Sequence, residues 1–89
     1  MSGGYFNYDQ NRIEDIYEKI RELTEDSHWS EATKKRFKEA MWYLGVAHIY
    51  SQRIDWLISG DDSEATFHTR LEDELNELDR VIKEIQDRE

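Results

Sequence analysis

Eighty-nine residues carry 21 Asp and Glu against 12 Lys and Arg, a formal net charge of −9, and contain neither cysteine nor proline. The charge repels phosphate backbones and so excludes a nucleic acid polymer as partner. The missing thiols exclude disulfide frameworks, thiolate metal sites and cysteine nucleophiles, and point to a reducing, cytoplasmic setting.

A chain of this length buries only about 60–65% of its unfolded surface, so a single domain, residues 1–89, is expected, and one with reason to oligomerise. Three Trp, five Tyr and three Phe set it apart from disordered sequences. The longest nearly apolar run, Ala40 to Ala47, falls far short of the roughly 20 residues a bilayer span needs. Four acids and no apolar core in the first twenty residues argue against a signal peptide. No membrane partner is therefore expected. A single nucleotide stays open as a ligand, because local arginines outweigh a net charge screened over about 8 Å.

In chain order, residues 1–8 form a glycine and aromatic segment, "MSGGYFNY". A first amphipathic helix is expected from about 9 to 25, with Ile13, Ile16, Tyr17, Ile20 and Leu23 on one stripe and Asp9 as N-cap. "TEDSHWS" interrupts it, and Ser30 is the expected N-cap of a second helix, about 31–59. There Phe37, Ala40, Met41, Leu44, Ala47, Ser51, Ile54 and Ile58 keep a three-four rhythm over about 43 Å. Gly45 lowers helix propensity by about 1 kcal/mol, and its expected use is close approach of a neighbouring helix.

Gly60 suits the left-handed position that ends a helix. Asp61 or Asp62 is the expected cap of the third, about 62–87, with Asp61 and Glu64 spaced as a capping box. Leu71, Leu75, Leu78, Ile82 and Ile85 make a heptad seam along that helix. The expected fold is all-α: a shorter N-terminal helix packed on part of a long antiparallel helical hairpin, the uncovered remainder favouring a homo-oligomer.

Chemistry-bearing motifs are sparse. His28, His48 and His68 come without ligand spacing, so neither metal nor cofactor is expected. No G-x-S-x-G elbow occurs, and with 21 acids adjacent carboxylates carry little information, so no catalysis is expected. Lys34, Lys35, Arg36 and Lys38 are expected to pair across to Glu22, Glu25 and Asp26 on the first helix.

Two aromatic groups invite more. Gly3 and Gly4 beside Phe6 and Tyr8 can form an anion-binding nest, or the rings can simply tuck against the hairpin. Arg53 and Trp56 lie three apart, Phe67 and Arg70 repeat that spacing past the turn, and antiparallel pairing brings the four to one level. A guanidinium beside a ring suits a phosphate and a base, hence a small nucleotide-like ligand.

"MSGGYFNY", "QNRIEDI", "QRIDWLISGDD" and "FHTRLEDEL" resemble a group of small uncharacterised proteins of phages, prophages and mobile elements, patterned S-G-G-x-F-x-Y near the start and R-x-D-W-L-x-S-G-D-D near the middle. The likeness covers about two-thirds of the chain. It implies that Ser2-Gly3-Gly4 is native and that Phe6, Tyr8, Arg53, Asp55, Trp56, Gly60, Asp61 and Asp62 occupy patterned positions. Tyr5 stands where many relatives have His, which weakens any role for that side chain.

By analogy with small acidic phage proteins, the resemblance implies an anti-defence protein in the host cytoplasm. The first form of that expectation is a homo-oligomer that sequesters a nucleotide-derived immune signal without turnover. Trp56, Phe6 or Tyr8 would stack on the base, Arg53, Arg12 or Arg70 would meet phosphate, and Asp55, Asp61 or Asp62 would accept hydrogen bonds. The alternative is an acidic inhibitor or DNA mimic that blocks a host defence protein. A structural role in a phage particle is a third.

Overall fold

The computed structural model describes residues 5–87. It holds three helices, α1 (Gln10–Thr24), α2 (Glu31–Ile58) and α3 (Glu64–Asp87), and no strand among the described residues. The α2 and α3 helices pair antiparallel: Gly45 meets Leu78, and nearer the turn Arg53 meets Glu74. The α1 helix runs back along the other flank of α2, with Gln10 beside Asp55 and Glu14 beside His48.

Among the described residues, the backbones of α1 and α3 each run close to α2 but not to each other. The molecule is therefore a single layer. Its extents are 45 × 24 × 13 Å, and the middle figure is what three helices side by side need at the usual spacing of about 8–10 Å. Domains normally bury apolar faces between two layers. Here the buried hydrophobic core shrinks to Met41, Leu78 and Ile82, edged by Tyr17, Ile20, Trp42, Val46, Ile49 and Ile85.

Local chemistry accounts for most boundaries. Ser30 adopts an extended backbone and its Oγ accepts from the Thr33 amide, which starts α2 as expected. Gly60 follows the C-cap of α2 and opens the hairpin turn at φ +88°, a conformation that side chains with a Cβ resist. A Cβ at Gly45 would lie 2.7 Å from the Leu78 Cδ2, so the missing side chain is what lets α3 approach.

Three expectations are corrected. The cap of α3 is Ser63, whose Oγ accepts from the Thr66 amide at 3.1 Å; the Asp61–Glu64 box does not form and the helix begins at Glu64. Asp9 does stand at the N-cap position of α1, but with a helical backbone and no capping bond from its side chain, which instead faces Arg12 at 3.8 Å. Asn7 and Tyr8 take positive φ (55° and 62°), and the turn they form leads the chain into α1. Lys34 and Arg36 pair along their own helix, with Glu31 at 3.9 Å and Glu39 at 2.9 Å, rather than across to α1.

Candidate functional site

Two neighbourhoods carry the polar chemistry. At the hairpin turn, Arg53 is 2% exposed and Asp55 fully buried, although both stand in mid-helix. Asp55 Oδ1 accepts from the Tyr5 amide at 2.7 Å, its Oδ2 accepts from Gln10 Nε2 at 2.8 Å, and Ser59 Oγ lies 3.4 Å away. Gln10 also donates to Gln52 at 2.8 Å. One carboxylate thus ties the N-terminal segment and the start of α1 to α2, and its charge is met by oriented donors.

On the other flank the Arg53 guanidinium lies 4.0 Å over the Trp56 ring. Its Nη1 is 3.5 Å from the Asp62 carboxylate and its Nε 3.2 Å from Glu74, so the cation is stacked and flanked by two acids. Arg70, exposed, approaches the same Asp62 at 4.0 Å. Burial makes this group a fastener of α2, the turn and α3. A buried guanidinium without its carboxylates would carry a heavy desolvation penalty.

The expected site residues separate accordingly. Arg53, Trp56, Asp62 and Arg70 do come together at one level. Asp55 turns to the opposite flank and serves the N-terminal segment. Arg12 is exposed beside Asp9, and Asp61 is exposed. Phe67 packs edge-on against His68 at 5.2 Å, and partly buried Phe6 packs edge-on against Tyr5 at 5.0 Å. Tyr8 is half exposed. Gly3 and Gly4, the expected anion nest, lie outside the described residues. Sequence reasoning missed Gln10, Gln52 and Glu74. The available signal was Asp55 itself, an acid on the side of α2 that also presents His48 and Gln52.

The second neighbourhood is open. Because α1 and α3 stand apart, a groove of about 320 Å³ runs between them over the middle of α2. Its floor is Gly45, Ile49, Leu78, Val81 and the ring of Tyr17; its edges are Glu14 and Glu18 on α1 and Glu74 and Glu77 on α3. Every formally charged residue lining it is acidic, and His48 stands 3.3 Å from Glu14. Outside the groove, Arg21 and Arg80 partner Glu18 and Glu77 as exposed neighbours along the same helices. Burial raises the Tyr17 phenol above its ordinary value near 10; Arg21 opposes the rise and Glu18 adds to it.

Among the described residues no group of three or more His, Asp or Glu is placed to hold a metal ion. No described helix is long and apolar enough to cross a membrane. No protein-family model, curated protein or solved structure matches the chain.

Proposed function

We propose that the protein acts without turnover, by holding a cationic amphipathic helix of another protein in the groove between α1 and α3. The observation that carries this reading is the pairing of a hydrocarbon floor with an edge of four glutamates. A helix laid in the notch between two coplanar helices supplies the missing second layer. Its apolar anchors would fill a cavity sized for a few side chains, and lysines or arginines beside them would meet Glu14, Glu18 and Glu77. The likeness to phage-encoded proteins makes a host protein the natural source of that helix, so occupation of the groove would block the host protein's own contacts.

Capture of a nucleotide-like ligand at the turn has weaker support. The guanidinium and ring do stack, but Arg53 would have to exchange Asp62 and Glu74 for the ligand while leaving a buried site.

The test is fluorescence anisotropy with labelled helical peptides of roughly 18 residues, a Leu/Lys-patterned one and its Leu/Glu counterpart. The basic peptide should bind with micromolar affinity that weakens as salt rises and disappears in Glu14→Lys/Glu18→Lys/Glu77→Lys. Equal binding of the two peptides, or none, overturns the reading. Calorimetry with cyclic dinucleotides decides the other proposal, since heat that vanishes in Trp56→Ala would restore the turn as the site.

A further inference from the structure

The groove occupies one face of the layer; the opposite face has its own pattern. At 3.6 residues per turn, Tyr43, Ala47, Tyr50, Ile54 and Ile58 all project within about 40° of the direction opposite Gly45. They form a stripe about 22 Å long down the back of α2. It contains no charge, and Tyr43, Tyr50 and Ile58 are 71%, 42% and 55% exposed. Beside its Tyr43 end the neighbouring charges neutralise one another, Arg36 with Glu39 and Lys83 with Asp79.

The area calls for a cover. The chain exposes 6250 Å², whereas a compact monomer of 10.8 kDa exposes about 5500 Å². That excess is shared between the open groove on one face and this stripe on the other. We infer that this stripe is the contact with a second copy of the chain, the two α2 helices crossing antiparallel about a two-fold axis between Tyr50 and Ser51.

Three features select that occupant and that direction. The stripe is self-complementary in this register: Tyr43 of one copy stands level with Ile58 of the other, and the small Ala47 level with the branched Ile54. The start of α2, with exposed Lys35, comes level with the turn carrying exposed Asp61 and Glu64; a parallel pair would set those two acids against their own copies. On the groove face, by contrast, a second copy would bring four further glutamates against four. Dimerisation through the back of α2 leaves both grooves free and facing away from each other.

The absence of native cysteine makes the register testable by disulfide trapping. Sedimentation equilibrium at roughly 100 µM should give twice the chain mass, and Ala47→Glu/Ile54→Glu should give a monomer of unchanged helicity. Under mild oxidation Tyr50→Cys, at the axis, should link to itself. Tyr43→Cys should not, yet it should link to Ile58→Cys when the two are mixed. A monomer at that concentration overturns the dimer. Efficient self-linking of Tyr43→Cys overturns the antiparallel register.

Discussion

Arg53 and Asp55, near the hairpin turn, are 2% and 0% exposed, whereas Tyr43 and Ile16, farther along the same layer, are 71% and 50% exposed. The protein thus seals charge at one end and leaves hydrocarbon in water along its middle. The contrast follows from the layer. At the turn, three chain segments converge, so Asp55 can be wrapped by Tyr5, Gln10 and Ser59, and Arg53 by Trp56, Asp62 and Glu74. In the middle, among the described residues, only α1 and α3 flank α2, and its back face leaves Tyr43 and Tyr50 exposed. Polar fastening sets the register of the helices, and the apolar surface along the middle stays open.

The sharpest way to break this distinction is Arg53→Ala. If Arg53 is a fastener, its loss leaves the Asp62 carboxylate, whose side chain is 3% exposed, with only the exposed Arg70 at 4.0 Å, and stability falls by about 3 kcal/mol. That is a large share of the roughly 4–13 kcal/mol expected for a chain of this length. The urea midpoint followed by circular dichroism should drop accordingly, and Arg53→Met with Asp62→Leu should recover most of the loss. A midpoint unchanged by Arg53→Ala would show the guanidinium to be spare, as a ligand-binding group could be.

What could be read from the sequence divides along the same line. Helices, the Ser30 cap, the left-handed Gly60 and the close approach at Gly45 depend on spacing within a few residues, and the structure has each of them. The cap of α3 was misplaced because Asp62, locally suited to capping, is drawn to Arg53, leaving Ser63 to do it. Glu74 looks like any solvated acid beside a heptad seam, and the Gln10 amide has no periodic signature, so neither announced its buried partner. The groove was illegible for a further reason. Its glutamates are some sixty positions apart in pairs, and only the separation of α1 from α3 makes them neighbours.

Gly45→Ala probes the middle with a smaller effect. The added Cβ would meet both Leu78 methyls, at 2.7 and 2.8 Å, in a residue that belongs to the core. Overpacking of this kind costs about 1–3 kcal/mol, and the better helix propensity of alanine returns about 1. A net loss of roughly 1 kcal/mol is expected, read from the same urea midpoints, and Leu78→Val in the same chain should reverse it by making room. Because Gly45 also floors the groove, Gly45→Ala should weaken the Leu/Lys peptide as well, whereas no substitution on the back stripe should. A stabilised Gly45→Ala with full peptide affinity would mean that Leu78 swings aside freely and that the floor is not shaped by contact.

The smallest expected effect is a dependence on alkaline pH. Tyr17, partly buried at the groove wall, has its phenol raised above the ordinary value near 10, with burial the largest cause. The folded protein therefore keeps a proton that the unfolded chain gives up near pH 10. The corresponding stability is fully present below that pH and is lost as pH climbs through the folded value. Urea midpoints between about pH 10 and 12 should fall less steeply in Tyr17→Phe than in the native chain. A basic peptide in the groove acts on the phenol in two opposing ways, since it excludes water, which raises the value, and brings cations, which lower it. If the absorbance lost in Tyr17→Phe, taken as the difference between the native and variant titrations, belongs to a phenol ionising at the ordinary value near 10, the ring is wet on its groove side and the hydrocarbon floor is narrower than described.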